Sequence, residues 1–228
     1  MRETISAEGV LLSVNVGMPA LIRDGSKPVE SGILKSPVEG PVRALRGGLP
    51  GDGQADRVHH GGPDRVACVY SSDHRDYWER LWGKPCGFGA FGENFTISGF
   101  RETDVHIGDI FRIGTAVFQL TQPRMPCYKL GIRHGMPQLP DEVLKSGFTG
   151  WYFRVLEEGD VRAGDRITRI EHRTDNPTVA EAAQTDAFRR RDRDAILRVL
   201  EADGLSADWK ATMSKRLAKL DAGDGSDE

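Results

Sequence analysis

Val105-His106-Ile107-Gly108-Asp109-Ile110-Phe111 is the stretch from which the fold of this chain is read. A Gly-Asp pair suited to a tight reversal is followed by branched and aromatic residues that favour extended backbone. The arrangement returns as Val161-Arg162-Ala163-Gly164-Asp165-Arg166-Ile167. Two such turns, each leading into a strand, fit the seams of a compact barrel, although so short an echo does not establish a duplicated domain. Outward from them lie the β-favouring runs Val10-Leu11-Leu12-Ser13-Val14-Asn15-Val16, Val66-Ala67-Cys68-Val69-Tyr70 and Ala116-Val117-Phe118-Gln119-Leu120, punctuated by glycine and proline. The chain to Thr174 is therefore expected to be mainly β. One helix is expected within it at about 73–82, where Tyr77, Trp78, Leu81 and Trp82 share a face and Ser71 or Ser72 can cap the start.

Periodicity and charge change together near residue 175. Acidic and basic residues cancel through Thr174 and turn net acidic beyond it. Asn176-Pro177 is expected to open a helix, with a side-chain cap and a preset φ. A second helix is expected over 192–202, where Ala195, Ile196, Val199 and Leu200 form a stripe. A third begins near Ser206 and carries Trp209, Met213, Leu217 and Leu220 at helical steps. The expected organisation is a β-rich domain at 1–174, a three-helix C-terminal subdomain at 175–222 and a disordered tail at 223–228. So small a bundle needs contact with the β domain, or with another chain, for part of its stability.

The chain has 228 residues, 38% of them hydrophobic, enough for a sizeable core. A net charge of -3 supplies no general basic field for a nucleic-acid polymer or an anionic membrane, and leaves room for a local anion site. The three cysteines, at 68, 86 and 127, cannot form a fully paired disulfide framework and contain no Cys-x-x-Cys pair. With no secretory leader and no run long enough to span a bilayer, a reducing, cytoplasmic setting is expected.

Three segments concentrate chemistry. In Gln122-Pro123-Arg124-Met125-Pro126-Cys127-Tyr128-Lys129-Leu130, two prolines restrain the backbone around Cys127. Arg124 and Lys129, if they face the sulfur, favour a thiolate able to attack sulfur or ligate a soft metal. The competing reading packs Cys127 as a small buried residue with the cations in water. Cys68 and Cys86 are read as ordinary packing or incidentally exposed residues. In Asp56-Arg57-Val58-His59-His60-Gly61-Gly62-Pro63-Asp64-Arg65, glycines allow close backbone approach and the His and Arg side chains can hold an anion; a charged surface turn is the alternative. In Gly87-Phe88-Gly89-Ala90-Phe91-Gly92-Glu93-Asn94-Phe95-Thr96, Glu93 and Asn94 can hydrogen-bond a polar heterocycle, or merely turn the chain into a strand. The aromatic run at 151–153 could cover a pocket, with core packing the more common fate.

Taken in order, His-His-Gly-Gly-Pro-Asp, Gly92-Glu93-Asn94, Val-His-Ile-Gly-Asp and Arg124-x-Pro126-Cys127-x-Lys129-Leu130 resemble the MOSC domain family. The helical extension resembles that of its YiiM-type members. The resemblance implies a twisted, partly closed β-barrel with peripheral helices and the three-helix subdomain behind it. It implies binding of the molybdenum cofactor (molybdopterin), an association with pyridoxal phosphate binding, and Cys127 as the catalytic residue, either ligating molybdenum or carrying sulfur. His59, His60, Asp64, Arg65, Glu93, Asn94, Arg124 and Lys129 become the cofactor-binding positions. The implied activity is reductive detoxification of N-hydroxylated small molecules, hydroxylaminopurine bases among them. No iron-sulfur cysteine run or dinucleotide fingerprint accompanies these motifs, so a separate electron-donor reductase is the expected partner. Two other readings stay open: a persulfide sulfur-transfer enzyme, or a cofactor carrier without catalysis. The helical extension offers a partner surface, a homodimer included.

Overall fold

The computed structural model describes residues 8–25, 27–56 and 61–223. Along these residues run strands β1 (Glu8–Val16), β2 (Ala20–Asp24), β3 (Lys27–Ser31), β4 (Ser36–Pro37), β5 (Val42–Ala44) and β6 (Ala67–Ser71), then helix α1 (Arg75–Trp82). Strands β7 (Phe95–Ser98), β8 (Ile110–Ile113) and β9 (Ala116–Pro123) precede helices α2 (Tyr128–His134) and α3 (Leu139–Ser146). Strands β10 (Trp151–Glu157), β11 (Gly159–Val161) and β12 (Arg166–Glu171) lead to helices α4 (Val179–Phe188), α5 (Arg193–Leu200) and α6 (Ala207–Asp221).

Seven strands close a barrel in the order β1-β7-β6-β10-β9-β8-β12, with β12 returning to β1. The closing pairs are Glu8 with Thr168, Gly9 with Ile167 and Val10 with Arg166, so the ring is complete. Every pairing in the ring is antiparallel except β6 with β7, whose parallel crossover carries α1 and the glycine loop. The two Gly-Asp turns share one device. Gly108 and Gly164 take φ of 87° and 94°, open to glycine at little cost. Each aspartate then accepts the amide three residues back: His106 N to Asp109 Oδ2 at 3.0 Å, Arg162 N to Asp165 Oδ2 at 2.9 Å. The turns feed β8 and β12, which lie side by side.

Period-two alternation divides the side chains between two apolar cores. On β6, Ala67 and Val69 enter the barrel core with Trp151 and Phe153, whereas Tyr70 packs in a second cluster with Trp78, Phe91, Leu130 and Val143. Tyr70 and Phe91 stack there at 4.0 Å. Helix α1 follows a short 3₁₀ turn at Ser72–His74, capped by Ser71 Oγ, which accepts the Asp73 amide at 3.3 Å. Trp78 is fully buried, but Leu81 lies at the rim of the expected face and is 42% exposed.

The C-terminal helices start from side-chain caps. Thr178 and Glu181 form a capping box at α4, Asp192 Oδ1 accepts the Ala195 amide at 3.0 Å, and Ser206 Oγ accepts the Trp209 amide at 3.2 Å. The expected start at Asn176-Pro177 is corrected. Asn176 Nδ2 donates instead to Ile107 O at 2.7 Å and Asp203 O at 3.0 Å, tying the linker to the barrel and to the α5–α6 loop. Ile196, Val199, Trp209 and Met213 belong to the same core as the barrel interior, so the barrel supplies the contact a small bundle requires. No helix of the described residues is long and apolar enough to cross a membrane.

Candidate functional site

Strands β6, β10 and β9 lie side by side, with Tyr152 paired to Cys68 on one flank and to Gln122 on the other. Because Trp151 and Phe153 face the barrel core, Tyr152 faces away from it. Of the aromatic run, only Tyr152 joins Cys68 in the lining of a cleft of about 640 Å³ that is open to solvent. The opposite wall comes from residues 31–35 and 53–56, and Arg124, Cys127 and Lys129 border the cleft after β9 ends. Glycines of the 87–92 loop permit the approach of the opposite wall. A Cβ on Gly89, φ 72°, would lie 2.8 Å from Lys35 O, and one on Gly92, φ 76°, 2.8 Å from Ile33 Cγ1.

Arg124 is 6% exposed. Its amide donates to Gly150 O at 3.0 Å, extending the strand pairing, and its Nη2 donates to Phe91 O at 2.8 Å. Nη1 is buried without a hydrogen-bond partner. A guanidinium is charged at any working pH, so this incomplete coordination is costly unless an anion completes it. Cys127 is half-buried at the N-cap of α2, and its carbonyl accepts the Leu130 amide at 3.0 Å. Lys129 Nζ donates to Glu30 O at 3.0 Å. Arg65 lines the cleft while its Nη2 donates to Asp208 Oδ2 at 2.7 Å and its Nε to Gln122 Oε1 at 3.3 Å. Arg65, Arg124, Cys127 and Lys129 thus border one cationic cleft.

Three motif residues point elsewhere or are already occupied. Glu93, expected at the cofactor, is not a cleft residue: its buried carboxylate accepts Gly89 N at 2.7 Å, Phe91 N at 2.9 Å and Thr96 Oγ1 at 2.7 Å. It shapes the loop whose Phe91 carbonyl holds Arg124. Asn94 borders the cleft, but its Oδ1 accepts Cys68 N at 3.0 Å and its Nδ2 donates to Asn15 O at 3.1 Å. Asp64 is absent from the lining. Its Oδ2 accepts the Ala207 amide at 2.9 Å, at the start of α6, and its Oδ1 pairs with Arg154 at 3.1 Å. A motif shows which polar residues are adjacent in the chain, not which direction each points. His59 and His60 lie outside the described residues; Asp56 and Arg65, on either side of that segment, both line the cleft.

The placement of Asp64 has a measurable consequence. Asp64→Ala is expected to cost about 1–2 kcal/mol, the usual loss for a helix cap near a positive helix end, without altering ligand retention in the cleft. Thermal melts alongside anion-retention assays check this; reduced retention at unchanged stability would return Asp64 to the binding site.

Two further side chains complete the site: Cys68, read from the sequence as a packing or incidentally exposed residue, and Lys35, which the sequence does not mark. Cys68 lines the cleft, and burial pushes its thiol up to about 12 despite the neighbouring Arg124, leaving a neutral thiol at neutral pH. Alternation in Val66-Ala67-Cys68-Val69-Tyr70 carried that signal, since inward Ala67 and Val69 require an outward Cys68. Lys35 also lines the cleft and pairs with Asp52, which accepts the Gly17 amide at 3.0 Å. Nothing in its local sequence marks it, because its neighbours across the cleft are remote in the chain. Cys86, as expected, packs in the second apolar cluster. Burial pushes the Tyr152 hydroxyl well above its ordinary range, so it stays protonated and able to donate.

Comparison with known proteins agrees with this architecture. Residues 56–168 match the MOSC domain, and residues 177–220 match the YiiM-like, 3-alpha helix domain. The chain is 40% identical over 210 residues to YflK of Bacillus subtilis (strain 168), covering 92% of this chain and 95% of that protein. It is 35% identical over 170 residues to a protein of Gibberella moniliformis named "Reductase", covering 72% of this chain but 29% of that longer protein. The crystal structure of YiiM from Geobacillus stearothermophilus superposes with a TM-score of 0.78 at 36% identity, covering 92% of this chain and 99% of that one. With a closed barrel, a cationic thiol-bearing cleft and a helical extension packed on the barrel core, the chain belongs to the MOSC domain family.

Proposed function

We propose that this protein is a molybdenum-cofactor-dependent reductase of N-hydroxylated compounds such as hydroxylaminopurine bases. The observation that carries the reading is the buried Arg124 guanidinium, with one nitrogen unpartnered, in a cleft also lined by Cys127 and Cys68. Such a donor set fits an anionic group bearing a soft metal. The MOSC membership and the reductase name of the Gibberella relative support it.

In this reading Arg124 and Lys129 offset the ligand's negative charge, while Lys35 lines the same cleft with its charge balanced by Asp52. Cys127, at the cleft border rather than in an apolar core, presents the sulfur ligand. Cys68 remains a thiol and Tyr152 a protonated phenol, so each can donate a hydrogen bond without adding negative charge beside the anion. When bound, the cofactor supplies the redox chemistry that cleaves the N–O bond, with electrons and protons taken up and water released. The electrons come from a separate reductase.

Reconstitution with molybdenum cofactor tests the assignment. In Cys127→Ala, molybdenum retention is expected to fall by more than about tenfold, the lower end of what losing even an outer-sphere partner costs, and hydroxylaminopurine reduction is expected to fall with it. Cys127→Ser keeps a polar atom but not the soft donor and is expected to behave similarly. A folded Cys127→Ala protein with unchanged retention and turnover would overturn the role.

A further inference from the structure

Away from the cleft, two histidines and an aspartate meet where the barrel hands the chain to the helical unit. Asp109 is fully buried, and its carboxylate is oriented by the Arg173 amide at 2.7 Å and the His106 amide at 3.0 Å. His172 Nδ1 lies 3.1 and 3.2 Å from the two carboxylate oxygens. The His106 ring is 4.8 Å from that of His172 and nearly perpendicular to it, and His106 Nδ1 is buried without a hydrogen-bond partner. One donor atom from each residue lies within 4.8 Å of the other two. None of the three lines the cleft.

We propose that His106, Asp109 and His172 form a binding site for a divalent transition-metal ion of the zinc class. A hydrogen bond between His172 and Asp109 engages those two and leaves His106 outside it; a metal ion engages one donor atom from each of the three residues. Two imidazoles and one carboxylate suit zinc, cobalt or nickel, whereas calcium and magnesium demand oxygen ligands. The backbone donors on Asp109 are the outer-sphere supports that hold a ligating carboxylate in place. Arg169 Nη1, 3.4 Å from Asp109 Oδ2, opposes a cation, and its shorter bond is to Asp104 O at 2.6 Å. Affinity is therefore lower than for the same ligands without a guanidinium nearby.

The location defines the consequence. His106 belongs to the first Gly-Asp turn and bridges to Thr178, the α4 cap, while the Ile107 amide donates to Pro177 O at 3.0 Å. His172 follows β12 directly. A metal here staples the end of the barrel to the entrance of the helical unit.

The experiment uses the full chain, stripped with chelator, in a His59→Ala/His60→Ala/Cys127→Ala background that removes the histidine pair adjacent in the sequence and the cleft thiol assigned above to a soft metal. Zinc titration by calorimetry is expected to show uptake of one equivalent with a rise in melting temperature, and cobalt to give tetrahedral visible absorption. His106→Gln or His172→Gln is expected to weaken zinc binding by more than about tenfold. Absence of stoichiometric uptake, or uptake indifferent to either substitution, would overturn the site. Should either variant fail to fold, the cobalt spectrum of the parent decides: a tetrahedral band supports the site and a six-coordinate aqueous spectrum overturns it.

Discussion

Arg124→Met is expected to make the ligand-free protein more stable while weakening its hold on the anionic cofactor by roughly tenfold to a hundredfold, the equivalent of one or two charge-assisted hydrogen bonds. The two effects have one origin. Arg124 is 6% exposed, with Nη2 on Phe91 O and Nη1 without a partner. Desolvating a guanidinium costs several kcal/mol, and replacing incompletely compensated buried charge by an apolar side chain of similar length often stabilises a fold. Methionine keeps much of the packing of the arginine stem. The Phe91 carbonyl loses its donor, which offsets part of the gain. A net increase of about 1 kcal/mol remains, or a melting temperature higher by about 2–4 °C for a chain of this size. Melting curves and cofactor-retention assays on the same preparation check both halves. Lower stability combined with undiminished retention would mean that Arg124 serves the fold rather than the ligand.

Glu93→Ala is expected to be among the most destabilising single substitutions in the chain, at about 3–5 kcal/mol in denaturant unfolding. Its carboxylate accepts two amides and a hydroxyl, all buried, and alanine leaves those donors facing a cavity instead of water. Glu93→Gln retains the volume but turns one acceptor into a donor, so a smaller loss is expected. The damage should also reach the cleft. Glu93 fixes the Phe91 amide, and the carbonyl of that residue anchors Arg124, so cofactor retention is expected to drop although Glu93 does not line the cleft. A loss below about 0.5 kcal/mol, typical of surface positions, would contradict this account.

These two residues also mark where reading along the chain succeeds and where it stops. The Arg-x-Pro-Cys-x-Lys segment is legible because its charges and sulfur are neighbours, and a strand end followed by a restrained loop delivers them together. The family resemblance implies a ligand-facing Glu93, and the local sequence does not decide against it, because a glutamate beside glycines suits a ligand or a turn equally well. What turned it inward were the amides of Gly89 and Phe91, whose positions depend on the loop packing against Ile33 and Lys35. Asp64 was drawn in the same way to the α6 amide of Ala207, far along the chain. At the helical extension, the Thr178–Glu181 capping box outcompeted the more conspicuous Asn176-Pro177 pair, since it satisfies two amides reciprocally.

Turns, caps and strand alternation were therefore written into short stretches of the chain, because each depends on hydrogen bonds or side-chain direction within a few residues. The aspartate turns, the outward parity of Cys68 and the stripes of α5 and α6 are of this kind. Ring closure through β1 and β12, the arrival of Lys35 opposite Arg124 and the inward turn of Glu93 are not. They arise from contacts between distant segments, settled by which packing of the whole barrel buries the most apolar surface while leaving the fewest polar groups without partners.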